Sequence, residues 1–98
     1  MQIWYAYTHM KSFRERVLAT VARIPKGTVM SYKEVAIVAG NPGAARAVGI
    51  IMKQNFNPDI PCHRVIRSDG TIGGYNRGAE RKKELLKKEG AYEKHNLR

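Results

Sequence analysis

The sequence is short of cysteine, of acidic residues and of long apolar runs. Cys62 is the only cysteine among 98 residues. An intramolecular disulfide and a cysteine-rich zinc site are therefore excluded, which fits a reducing, intracellular compartment. Asp and Glu number 8 against 18 Lys and Arg, a formal net charge of +10. On a chain of one-domain length, that field makes a polyanion the first partner to consider. No apolar stretch approaches the ~20 residues of a membrane span. The basic residues are scattered along the chain, which argues against a membrane-surface helix. Met1-Gln2-Ile3-Trp4-Tyr5-Ala6-Tyr7 lacks the charged start and apolar region of a signal peptide. Internal repeats and low-complexity linkers are missing too. The expectation is one domain over 1–98, with a core at 11–91, an N-terminal extension at 1–10 and a loose polar tail at 92–98.

What is present is mostly helical patterning. Phe13, Val17, Val21 and Ile24, with Leu18 beside them, recur at helical spacing. Pro25-Lys26-Gly27 stops that helix. Thr28-Val29-Met30 reads as a brief strand. Ser31 is an N-cap, and Glu34 three residues on completes a capping box for a helix from Tyr32 to about Ala39. Gly40-Asn41-Pro42-Gly43 is a dense turn signal, and a second helix follows from Ala44 to about Gln54. Two short helices across a glycine-containing turn form a helix-turn-helix pattern. In the second, Ala44, Ala45, Ala47 and Gly49 leave one side thin around Arg46. Such a face suits either tight helix packing or entry into a DNA groove with Arg46 as the probe. Ser68-Asp69-Gly70 is a turn, and Ile72-Gly73-Gly74-Tyr75 lets backbone approach a ligand. A charged helix over Ala79 to Glu89 turns Leu85 and Leu86 inward, with Gly90 as its stop.

Cys62 lies in Ile60-Pro61-Cys62-His63-Arg64-Val65-Ile66. The bland alternative is an inert buried thiol. A thiol followed at once by an imidazole, behind a proline, reads instead as a positioned nucleophile. A thiolate needs a neighbour to take its proton or a positive field to lower its pKa. His63 offers the first and Arg64 adds to the second. Adjacent residues on an extended strand point to opposite faces. Cys62 and His63 therefore cooperate only where the backbone turns between them, or where a water bridges them.

Pro61-Cys62-His63-Arg64-Val65-Ile66 resembles the active-site motif of the O6-alkylguanine-DNA alkyltransferases, the methylated-DNA–protein-cysteine methyltransferases. Ile24-Pro25-Lys26-Gly27 and Ser31-Tyr32 are similar to that family's entry to the helix-turn-helix. Ala44-Ala45-Arg46-Ala47-Val48-Gly49 looks like its recognition helix, and Gly73-Gly74-Tyr75 and Leu85-Leu86-Lys87-Lys88-Glu89-Gly90 like its pocket-closing segments. The resemblance implies a mainly α, winged helix-turn-helix DNA-binding domain with short β-strands. It implies no cofactor and no metal, a monomer in the cytoplasm (or the nucleus of a eukaryote), and double-stranded DNA with alkylated guanine as partner. Another DNA repair protein would be a further partner. Cys62 would accept the alkyl group, with His63 as base through a water, Glu89 orienting His63, Tyr32 donating to the purine and Asn55 fixing the turn before the cysteine. Arg46 would fill the space left by a flipped nucleotide, with Ser31, Tyr32, Ala44, Ala45, Ala47 and Gly49 along the DNA. Val65, Tyr75 and Asn76 would line the base pocket.

Two features depart from the family. Most members place a separate domain before the catalytic one, and Met1 to Met10 is too short to replace it. Single-domain size is typical of alkyltransferase-like proteins, which bind alkylated guanine without an acceptor cysteine; the presence of Cys62 favours transfer. Asn76 and Arg77 also stand where many members have smaller or aromatic residues, which bears on pocket size. A winged-helix regulator, indifferent to alkylation, has no need of Cys62-His63 or Glu89.

Overall fold

The computed structural model describes residues 12–98. The expected N-terminal extension lies outside these residues. Helix α1 spans Phe13–Ala22, and Ser12 and Glu15 close a capping box at its start. Val17 and Val21 are fully buried on its inner face. The helix ends two residues before the periodicity does. Arg23 and Ile24 donate their N–H groups to Thr20 and Val21, a tightened last turn, because Pro25 disfavours helical backbone at Ile24.

Strand β1 is Met30–Ser31 and helix α2 is Tyr32–Val38. The strand expected at Thr28-Val29-Met30 thus starts later. Thr28 N–H is engaged with the Pro25 carbonyl at 3.0 Å in the preceding turn. Ser31 caps α2 as expected: its Oγ accepts from Glu34 N–H at 3.0 Å, and Glu34 Oε1 accepts from Ser31 N–H at 2.8 Å. Gly40, at φ +92°, ends α2 in a Schellman arrangement. Gly40 N–H reaches the Ile37 carbonyl and Asn41 N–H the Ala36 carbonyl. That turn delivers α3, Ala45–Gln54, whose inner face is Val48, Ile51 and Met52. Helices α2 and α3 pack together, and both pack on α1.

Cys62–Arg64 is one turn of 3₁₀-helix, followed by β2, Val65–Ile66. The strands are parallel, with Met30 opposite Val65 and Ser31 opposite Ile66. Helix α4 spans Ala79–Lys88 and α5 spans Ala91–Lys94. A first apolar cluster joins α1, α2 and α3 to Cys62 and Val65. A second unites Ile66, Ile72, Leu86, Ala91 and Leu97.

The last cluster corrects two expectations. Residues 92–98 are not a loose tail: α5 reaches into them, Leu97 is buried, and Arg98 N–H bonds the Gly70 carbonyl at 2.9 Å. On α4 it is Lys82 and Leu86 that turn fully inward, while Leu85 is half-buried on a groove. Leu97→Ala is expected to lower stability by about 2–3 kcal/mol, read as a shift in the urea midpoint. An unchanged midpoint would return the tail to the loose state.

Candidate active site and nucleic-acid interface

The 3₁₀ turn resolves the Cys62–His63 question. With three residues per turn, successive side chains point about 120° apart, so thiol and imidazole leave the backbone in different directions. Cys62 Sγ faces a pocket of about 190 Å³ lined by Tyr32, Gly49, Met52, Lys53, Arg67, Gly74, Tyr75 and Asn76. His63 faces Glu89, and it also borders a second groove of about 380 Å³ with Pro61, Tyr75, Arg77, Arg81 and Leu85. Tyr75 lies between the two cavities, its ring edge-on to His63 at 6.5 Å.

Asn55, buried at the end of α3, donates from Nδ2 to Cys62 Sγ at 2.9 Å, and its Oδ1 accepts from Asn57 N–H. The amide thus fixes the turn before the cysteine and the sulfur itself. Asn76 holds Asn55 in turn. Its Nδ2 lies 2.5 Å from the Asn55 carbonyl, with the Met52 and Lys53 carbonyls at 3.4 and 3.3 Å. These carbonyls belong to the last turn and C-cap of α3, where intrahelical donors run out. Donation to them turns Asn76 Oδ1 away, buried and without a hydrogen-bond partner among the described residues.

Behind the thiol, Glu89 is shared. His63 Nε2 lies 2.9 Å from Glu89 Oε2, and Arg64 grips both oxygens from Nη2 at 2.7 Å and Nε at 3.0 Å. Arg64 Nη1 also bonds the Ile24 carbonyl at 2.8 Å. Burial works to raise the Glu89 pKa, but the hydrogen bonds from Arg64 and His63 outweigh it and hold the carboxyl low. Burial pushes His63 below the usual imidazole value, against the pull of Glu89. A neutral imidazole beside a carboxylate carries its proton on Nε2, which leaves the Nδ1 lone pair open. Burial raises the Cys62 thiol, only partly opposed by Asn55 and by the charges of Arg77 and Lys82. The resting pair is thus a thiol and a neutral base.

Lys82 is the residue that sequence reasoning missed. It is fully buried, with Nζ donating to the Val65 carbonyl at 2.7 Å and the Gly74 carbonyl at 3.1 Å, and lying 3.5 Å from Tyr32 Oη. Burial depresses its pKa to about 8. The signal was present: Lys82 stands four residues before Leu86, on the same helix face. Tyr32 is raised by burial. Val65, expected on the pocket wall, is fully buried in the first apolar cluster. Only its carbonyl works at the site, as the acceptor for Lys82. Among the described residues, no group of three or more His, Cys, Asp and Glu side chains is placed to hold a metal.

On the helix-turn-helix, Arg46 is exposed and forms no hydrogen bond or ion pair among the described residues. Ala44 is the N-cap of α3 without a side-chain cap, so the first N–H groups of the helix are open to an anion. Ala44, Ala45, Ala47 and Gly49 are half-buried, and a Cβ built on Gly49 would meet nothing within 4 Å. Ser31 is buried, its oxygen occupied by Glu34 N–H, so its side chain is a cap rather than a surface contact.

Fold and site together define a helix-turn-helix DNA-binding domain with a thiol pocket at the base of its second helix. Residues 12–91 match the family described as 6-O-methylguanine DNA methyltransferase, DNA binding domain, and the chain belongs to that family. Methylated-DNA--protein-cysteine methyltransferases from Rattus norvegicus and Methanothermobacter thermautotrophicus are 52% and 49% identical over 76% and 80% of this chain. The chain spans only 37% and 44% of their lengths. Mycobacterium tuberculosis OGT in complex with DNA superposes with TM-score 0.76 at 44% identity, over 81% of this chain and 49% of that one. S. pombe Atl1, in complex with damaged DNA containing O6-carboxymethylguanine, gives 0.72 at 41%, over 80% and 75%. No helix among the described residues is long and apolar enough to cross a membrane.

The depressed Lys82 pKa sets a pH signature. Between about 8 and the ordinary lysine value of 10.5, the unfolded chain binds the lysine proton more tightly than the fold. Lys82 therefore lets stability rise with pH across that window, by up to about 3 kcal/mol. Cys62 and Tyr32 are shifted upward and act in the opposite sense, so the comparison must be with Lys82→Met. The stability difference between wild type and Lys82→Met, from urea unfolding, is expected to grow in favour of wild type from pH 7.5 to 9.5. A constant difference would mean that Lys82 carries no depressed pKa.

Proposed function

We propose that this domain repairs DNA by moving an alkyl group from O6 of guanine to Cys62, once and irreversibly. The carrying observation is that Cys62 Sγ opens on a pocket while Asn55 holds it at 2.9 Å and the His63–Glu89 pair stands behind it. The basic surface engages phosphates, and the open N-terminus of α3 adds N–H groups to them. Arg46 enters the space of a nucleotide turned out of the duplex, and the small residues of α3 let the helix lie in the minor groove.

The flipped base occupies the pocket between Tyr32 and Tyr75. The thiol proton passes through a water to His63, and Glu89 steadies the imidazolium. The sulfur attacks the alkyl carbon; the S–C bond forms as the C–O6 bond breaks, and the electron pair stays on the guanine. Tyr32 donates a hydrogen bond to the purine and offsets that charge. The alkyl thioether stays on Cys62, so the protein acts once, as a monomer and without cofactor. The second reading, a sensor that binds alkylguanine without transfer, draws on the likeness to Atl1.

Incubation with a duplex containing O6-methylguanine is expected to add one methylene unit to the Cys62 peptide in the mass spectrum. Tight binding without a mass change would leave the sensor. Cys62→Ala is expected to abolish transfer and keep DNA binding; Arg46→Ala is expected to slow transfer about tenfold. The base is competent only when neutral, and His63 is shifted downward. Single-turnover rates are therefore expected to hold through neutral pH and fall only below the ordinary imidazole range. A fall already at pH 7 would contradict the neutral base.

A further inference from the structure

The thiol pocket carries more positive charge than a neutral methyl adduct requires. Lys53 and Arg67 are on its wall, Lys82 lies beneath Tyr32, and no Asp or Glu lines it. Lys53 and Arg67 are both exposed cations, and of the two only Arg67 has a planar donor fork. Its backbone closes the turn to Thr71 and Gly70, but its guanidinium forms no hydrogen bond or ion pair among the described residues. The carboxylate that feels it, Asp69, is held by Thr71 N–H at 3.0 Å and Thr71 Oγ1 at 2.7 Å. Residues 1–11 contain no Asp or Glu that could neutralise it.

The side chain is also aimed. Gly73 has φ +75°, and a Cβ built there would stand 3.5 Å from Arg67 Cγ and Nε and 3.5 Å from Tyr32 Oη. Arg67 therefore lies across Gly73 beside the tyrosine hydroxyl, at the end of the pocket that holds Tyr32. A larger residue at 73 would crowd both. The result is a planar, permanently charged donor fork at the rim of the same pocket that Cys62 borders.

We propose that Arg67 is a specificity residue that selects O6 adducts ending in a carboxylate, such as O6-carboxymethylguanine. A guanidinium pairs a carboxylate through two parallel hydrogen bonds; Arg67 is exposed at the rim of the pocket, so it is the geometry of the fork rather than burial that gives the pairing its selectivity. The inference rests on the transfer reading above. In the reaction the Cys62 sulfur bonds the methylene carbon, the C–O6 bond breaks with its electron pair going to guanine, and the thiol proton goes to His63. The product is S-carboxymethyl-Cys62, its carboxylate still facing Arg67.

The test compares single-turnover rates on two otherwise identical duplexes, one with O6-carboxymethylguanine and one with O6-methylguanine. Arg67→Gln is expected to lower the carboxymethyl-to-methyl rate ratio about tenfold. Arg67→Lys, which keeps the charge but loses the fork, is expected to restore part of it. A ratio unchanged in Arg67→Gln overturns the proposal, even where both rates fall together, since a phosphate anchor or an effect through Tyr32 would do that. If neither duplex is repaired, the transfer reading fails on its own. The same ratio is then taken from dissociation constants: a carboxymethyl preference lost in Arg67→Gln sustains the role of Arg67, and one that is absent or retained ends it.

Discussion

A single buried ammonium holds the pocket of this domain together. Lys82 rises from α4 into the space between β2, the glycine loop and Tyr32, and donates to a carbonyl of each backbone segment. Burying that charge is costly, as its pKa near 8 shows. The carbonyls offset the cost only while all three segments stay together. The charge is therefore a registration device: α4 cannot slide without stranding the ammonium, and Val65 and Gly74 cannot part without losing a strong acceptor. Tyr32 stands over the same nitrogen, with its ring centroid 5.7 Å away. The floor of the pocket and its hydroxyl are set by one side chain.

A second polar knot works on the far side of the cysteine. Arg64 ties Glu89 to the 3₁₀ turn and to the end of α1 through the Ile24 carbonyl. The carboxylate is thus already ionised and placed before His63 needs it. Shared between a guanidinium and an imidazole, it orients the ring without forcing a second charge onto it. The expectation that Arg64 supplies a positive field beside the thiol misses this. Its charge is largely answered by Glu89, and the cations that act on Cys62 are Arg77 and Lys82.

Local signals were legible in the sequence, and long-range ones were not. The Ser31–Glu34 capping box and the Gly40 turn depend on neighbours a few residues away, and each appears where expected. The adjacency of Cys62 and His63 posed the right question, and the 3₁₀ turn answers it. Lys82 was hidden because a lysine in a charged helix reads as solvated. Its burial depends on carbonyls 17 and 8 residues away. Leu97 was hidden because one leucine in a polar stretch shows no periodicity. Its place depends on the groove between Ile66, Ile72 and Leu86. Val65 was placed on the pocket wall by the resemblance alone; its side chain lies in the first apolar cluster, and the lysine beneath claims its carbonyl.

The protonation states of the resting site bear on selectivity. A reactive cysteine usually has a depressed pKa and is partly ionised before any substrate arrives. Here burial acts the other way, and the positive charges nearby do not fully reverse it. The sulfur therefore rests as a thiol, hydrogen-bonded by Asn55 and poorly nucleophilic towards an alkylating agent or oxidant in solution. Nucleophilicity appears only when the proton leaves, and the neutral imidazole that can take it is held by Glu89 rather than by the thiol. In the proposed transfer, the negative charge left on guanine would lie in the pocket that Tyr32 borders, with Lys82 Nζ 3.5 Å from the tyrosine hydroxyl. On that reading the positive charges of the pocket would serve the leaving group more than they ionise the resting thiol. A thiol meant to react once would gain from that arrangement, since its reactivity would be tied to an occupied pocket rather than to its own acidity.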